Sequence, residues 1–143
     1  MHRFKWFFGV LCACAVSTAL AEGGISTFNS SGQPSFYAMG VPGFTTVSAV
    51  PIVIGGGMFN PAGYNSVKFR VSGNLNVAGT ATITLRDVTN ASNASVLTLT
   101  SASNATTTSA LLTLPAADTQ YEIRVVTALG VTVTLLQSGL VIQ

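Results

Sequence analysis

The stretch DVTNASNASVLTLTSASNATTTSALLTLPAAD, Asp87–Asp118, carries no charged residue between its two terminal aspartates. Three readings compete for it: a flexible Ser/Thr-rich stalk, a glycan-bearing segment, or part of a folded sheet. Its apolar positions decide. In SVLTLTSA, Leu97 and Leu99 alternate with Thr98 and stand opposite in phase to Val96; SALLTLPA does so loosely at Leu112 and Leu114. A disordered stalk would lack such positions and would favour proline and charge. The clusters TNASNAS and SNATTT suit turns, because short Asn, Ser and Thr side chains hydrogen-bond to nearby backbone. The stretch reads as two strands joined by a polar loop.

Strict alternation surrounds it. In SVKFRVSG, Val67, Phe69 and Val71 point one way while Lys68, Arg70 and Ser72 point the other. TATITLRD alternates at Ala81, Ile83 and Leu85, QYEIRVVT at Tyr121, Ile123 and Val125, and GVTVTLL at Val131, Val133 and Leu135. Period-2 patterning broken by Gly, Asn and Pro predicts half-buried antiparallel strands, and the Thr, Val and Ile content fits a pleated surface. The chain ends in SGLVIQ, apolar almost to its last residue, which predicts a paired strand there.

Upstream the texture differs. From Glu22 to about Pro61 the chain is rich in Gly, Pro and aromatics, with Phe28, Phe36, Tyr37, Phe44 and Phe59 among Pro34, Pro42, Pro51 and Pro61. No helical stripe survives that composition. Short strands such as TTVSAVPIVI are expected, with Gly55-Gly56-Gly57 as a turn or bulge. Many short strands and no convincing helix predict an all-β, antiparallel β-sandwich.

The first residues, MHRFKWFFGVLCACAVSTALAEGG, have the three parts of a secretory signal peptide. Arg3 and Lys5 are the positive region, an apolar run follows from Trp6 to about Val16, and Ala19-Leu20-Ala21 places small residues where a signal peptidase reads. Cleavage is expected after Ala21, leaving residues 22–143 as one β-sandwich domain whose segment 22–57 is the Gly/Pro/aromatic-rich part. A rival is lipoprotein processing: Leu11-Cys12-Ala13-Cys14 resembles a bacterial lipobox, which would cut before Cys14 and lipidate it. The short apolar run ahead of Cys14 and the good downstream site favour Ala21. Only a lipid on Cys14 would tie the chain to a membrane. The expected location is extracytoplasmic, secreted or in the cell envelope.

Both cysteines, the single histidine and the single tryptophan lie in the leader, so a chain cut after Ala21 has no thiol, no disulfide and no imidazole. About 120 residues remain, enough for one core and not two. The formal charge of +2 also belongs to the leader. Beyond it Lys68, Arg70, Arg86 and Arg124 balance Glu22, Asp87, Asp118 and Glu122. That excludes a basic nucleic-acid surface and a polybasic lipid anchor. Charge so sparse and balanced favours association with copies of itself or with a surface partner.

The order GGMFNPAGYNSVKFRV, GTATITLRDVTN, LLTLPAADTQYEIRV and SGLVIQ, covering roughly Phe59 to Gln143, resembles small jelly-roll-type β-sandwich modules. Such modules occur in secreted bacterial proteins and in phage tail or virion-associated proteins. The resemblance implies a jelly-roll fold and a role in attachment, assembly or surface display. Its motifs are structural and imply no catalytic residue.

The chemistry available is thin. With no His or Cys beyond the leader, a Ser-His triad, a thiol nucleophile and an imidazole metal site are excluded. Glu122 and Asp87 are the best carboxylates for glycoside hydrolysis, but both are expected at or beside outward strand positions. There, ion pairing of Glu122 with Arg70, Arg86 or Arg124 is the simpler expectation. No enzyme is expected. For calcium, Asp87 with Asn90 and Asn93, or Asp118 with Gln120, offers one carboxylate each where a hard cation wants several; turn chemistry explains the same residues, and no cofactor is expected. Asn29, Asn90, Asn93 and Asn104 head formal glycosylation sequons, which matter only in a host that uses them. Sugar binding through Phe36, Tyr37 and Phe44 is the main rival to a structural role, by the stacking-plus-polar logic of ligand sites. Against it, these aromatics can simply cap the core. The expectation is an exported, non-enzymatic structural or adhesive protein of the cell surface that forms a homo-oligomer. The alternative is a carbohydrate-binding module. The N-terminal segment either lends a strand to a neighbour or folds back onto its own sandwich.

Overall fold

A computed structural model describes residues 34–143. The leader, with Cys14 and Ala21, and residues 22–33 lie outside the described residues. Nine strands follow: β1 (Ser35–Ala38), β2 (Phe44–Thr46), β3 (Ile52–Phe59), β4 (Val67–Leu75), β5 (Ala81–Asp87), β6 (Ser92–Leu99), β7 (Ala105–Thr108), β8 (Thr119–Thr127) and β9 (Val133–Ile142). There is no helix among the described residues.

The pairing is nested. Strand β2 pairs with β9, β3 with β8, β4 with β7 and β5 with β6, all antiparallel. The chain is thus one long hairpin folded in the middle and rolled up, and the rolling adds the lateral pairs β4 with β9 and β5 with β8. Two sheets result, β1-β9-β4-β7 with β2 also on β9, and β3-β8-β5-β6. This is an antiparallel β-sandwich of jelly-roll type. One edge of β9 is covered by β4 throughout; the other is shared, β1 lying along residues 139–142 and β2 along residues 133–135.

Alternation puts one face of each sheet into the core. Phe69, Val71, Ile83, Leu85, Tyr121, Ile123, Val125, Val133, Leu135 and Leu140 are all fully buried, as the period-2 reading requires. Strand β9 carries an extra residue opposite Ser72/Gly73: Gln137 pairs with Ser72 and Leu135 with Gly73, and the unpaired Leu136 turns outward. Such an insertion re-aims side chains along a strand.

The two sheets are joined at one side by residues 39–43. Met39 N and Gly40 N both donate to Ser138 O at 3.1 Å, Gly40 bridges to Gly55, and Val41 N donates to Ile54 O at 3.3 Å. The chain therefore leaves β9, touches β3 of the opposite sheet and returns as β2. Glycine is required for that approach, since a Cβ on Gly55 would collide with the Met39 carbonyl oxygen and one on Gly40 with Ser138 Oγ. The described part of the Gly/Pro/aromatic-rich segment accordingly folds back onto its own sandwich.

Three local expectations are corrected. SALLTLPA is not a strand; residues 109–118 run as irregular chain, with Leu112 and Leu114 half-buried against the core. The second strand is instead the polar Ala105–Thr108, taken above for a turn, which finds backbone partners along Arg70–Gly73 of β4. Gly55-Gly56-Gly57 is not a turn but lies inside β3, with the bulge of the expectation falling at its edge, between Val53 and Gly55. Asp87 is the third, and belongs to the site below.

Candidate functional site

The three aromatics singled out for ligand binding do not share a surface. Tyr37 points into the core, its ring 5.5 Å from that of Phe59, and its hydroxyl donates to Met58 O at 3.0 Å. Burial, and to a lesser extent the nearby Tyr64, raises the Tyr37 hydroxyl above its ordinary value. Phe44 lies opposite the buried Leu135 and packs on the core from its rim. Phe36, one residue from Tyr37 on β1, faces outward and is half-buried.

Phe36 is covered by a cation. The guanidinium carbon of Arg70, two strands away on β4, sits 4.7 Å from the ring centroid. The ring reaches that far because β9 carries Gly139 between them: a Cβ there would come within 3.0 Å of the ring edge. Arg70 also donates from Nη2 to Gln137 Oε1 at 3.0 Å, while its Nε is buried without a hydrogen-bond partner. Further along the same face the side chains bond in cross-strand pairs. Ser72 and Thr106 hydroxyls lie 2.8 Å apart, Asn74 Nδ2 donates to Asn104 Oδ1 at 2.6 Å, and Thr45 and Thr134 hydroxyls lie 3.1 Å apart. The outer face of the first sheet is thus a row of amides and hydroxyls with Lys68 and Arg70 at one end.

The carboxylates do not converge. Glu122 faces outward on β8, paired with Arg124 and lying 3.8 Å from Arg86 Nε. Asp87 was expected near the surface and is buried, because the inward parity of Ala81, Ile83 and Leu85 continues through it. Its two oxygens accept from Asn90 N and Nδ2, both at 2.8 Å, closing the turn that suited calcium on composition alone. Asn93 instead stands opposite Arg86. Asp118 accepts from Asn60 Nδ2 at 3.1 Å. Asp87 and Glu122 therefore lie on opposite faces of one sheet and cannot flank a single glycosidic bond. Tyr121, beside Asp87, is fully buried and its hydroxyl makes no hydrogen bond; burial is the chief cause that raises its pKa, and Asp87 adds to the rise.

One end of the sandwich is distinctive. Residues 47–51, 76–80, 100–104 and 128–132 meet there, and none of them is charged. Their backbones are tied: Thr127 N donates to Ser48 O at 2.7 Å, Ala128 N to Thr80 O at 2.9 Å, Asn76 N to Thr132 O at 3.0 Å and Leu75 N to Ser101 O at 2.9 Å. On this braced frame Val47, Val50, Val77 and Leu129 are exposed, Leu129 by 93%. Sequence reasoning missed this end; its signal was the recurrence of Val or Leu in loops without charge. The chain's first described residue and its last both lie at the other end, where Ser35 pairs with Ile142.

No family model matches the chain. No curated protein sequence matches it. Among solved structures it is similar to the CBM36-1 domain of a multidomain xylanase from the hindgut metagenome of Trinervitermes trinervoides, at 12% identity, over 85% of this chain and 89% of that one, with a TM-score of 0.43.

Proposed function

We propose that this chain is an exported, non-enzymatic structural or adhesive protein of the cell surface that associates with copies of itself. One observation carries the reading: an uncharged end whose hydrogen-bonded loops hold four aliphatic side chains out to solvent. Single exposed aliphatics are ordinary, but a cluster on braced loops marks an interaction surface. Export rests on the leader ending at Ala21; the rival cut, before Cys14 with a lipid placed on it, would instead hold the chain at the envelope. Carbohydrate binding is the second reading. Its support is the row of amides and hydroxyls on the outer face of the first sheet, since Tyr37 and Phe44 are turned to the core.

Light scattering on size-excluded protein from Glu22 to Gln143 tests the first reading. A discrete trimer or larger, or filaments in the void volume, is expected. A clean monomer at micromolar concentration overturns self-association.

A further inference from the structure

The ionic groups are unevenly shared between the two sheets. Among the described residues the side-chain carboxylates are Asp87 and Glu122 on the second sheet and Asp118 before β8. Both ion pairs belong to Glu122, with Arg86 and Arg124. Lys68 and Arg70, two residues apart and so on one face of β4, have no side-chain carboxylate on their sheet and no ion pair among the described residues.

Arg70 is nevertheless held in place. Phe36 lies against its guanidinium and Gln137 Oε1 accepts a hydrogen bond from Nη2, leaving further N–H donors on the guanidinium. A planar guanidinium stacked on an aromatic ring is the arrangement that recognises carboxylates in a fixed orientation. Because the side chain is already ordered, a ligand does not have to order it on binding. From Lys68 to Asn74 the face runs about 20 Å along the strand, and beyond Arg70 it offers the Ser72, Thr106, Asn74 and Asn104 groups. An extended, hydroxyl-rich chain bearing carboxylates matches both halves of that surface; a free anion or a neutral glycan matches only one.

We infer that the outer face of the first sheet binds an acidic polysaccharide of the polyuronate class, with its carboxylates on Arg70 and Lys68 and its hydroxyls on the amide and hydroxyl row. The inference rests on the adhesive reading and names the class of surface to which the protein adheres.

The test is binding of polygalacturonate, dextran and polyglutamate by the chain from Glu22 to Gln143, with Arg70→Gln, Lys68→Gln and Arg124→Gln beside it, each checked for a native thermal transition. Polygalacturonate is expected to bind in low salt and weaken as salt rises. Arg70→Gln should lose at least tenfold and exposed Lys68→Gln severalfold, with Arg124→Gln unchanged. No binding, binding unaffected by Arg70→Gln and Lys68→Gln, or an equal loss in Arg124→Gln overturns the inference. Polyglutamate binding as tightly as polygalacturonate also overturns it, assigning the face to acidic peptide. Dextran bound equally well would overturn the acidic site and leave adhesion standing. Selective polygalacturonate binding by a monomer would do the reverse to self-association.

Discussion

The guanidinium of Arg70 lies over the ring of Phe36, 4.7 Å from its centroid, although an entire strand separates the two in the sheet. The intervening strand makes this contact with Gly139, whose missing side chain leaves the sheet surface open for the ring. One glycine thus couples the first strand of the described chain to the strand that carries Lys68 and Arg70.

Gly139→Ala is expected to break this coupling. The new methyl would collide with the Tyr37 carbonyl and press on the Phe36 ring edge, and overpacking of this kind costs roughly 1–3 kcal/mol. Phe36→Ala removes the cation–π contact and half-buried ring at about 1–2 kcal/mol. Urea midpoints measure both.

Gly55→Ala tests the join between the sheets. Its Cβ would meet backbone on the Met39–Gly40 side, and backbone cannot swing away as a side chain can. A loss of about 2 kcal/mol or more is expected, with faster amide exchange at Gly40 and Val41 as the local readout.

The two core tyrosines should respond oppositely to loss of their hydroxyls. Tyr37→Phe deletes a hydrogen bond to Met58 O and should cost about 1 kcal/mol. Tyr121→Phe deletes a buried hydroxyl without a partner and should be neutral or slightly stabilising. Paired denaturation curves decide.

Both hydroxyls titrate in the folded protein above their ordinary value of 10.0, chiefly through burial. The folded state favours the neutral form, so this contribution is complete below about pH 10 and falls away as pH rises through the folded values. Melting temperature should therefore drop above pH 10. The drop should shrink in the Tyr37→Phe, Tyr121→Phe double variant.

Leu129→Asp places a charge on the most exposed aliphatic of the uncharged end. Its side chain makes no core contact, so the melting temperature should stay within about 2 °C of the parent. The oligomer expected in light scattering should dissociate.

Much of the architecture was already legible in residue parity. Where apolar and polar residues alternate, as in Val67–Val71, Ala81–Leu85 and Tyr121–Val125, one face must leave water, and the burial follows. The same parity, carried two residues past Leu85, places Asp87 inside, against the preference of a lone carboxylate for water. What alternation alone did not reveal is which strand lies beside which. Ala105–Thr108 is a strand because β4 offers a free edge there, whereas the more apolar Leu111–Leu114 touches that edge through a single backbone bond, Leu112 N to Val67 O at 2.9 Å, and otherwise lies on the core as irregular chain. Phe36, Arg70 and Gly139 become a unit only when the roll sets β1, β9 and β4 side by side. The four uncharged loops become one surface for the same reason. Parity is a local property of a pleated chain; adjacency depends on backbone hydrogen bonds between distant segments, and only the tertiary structure decides those.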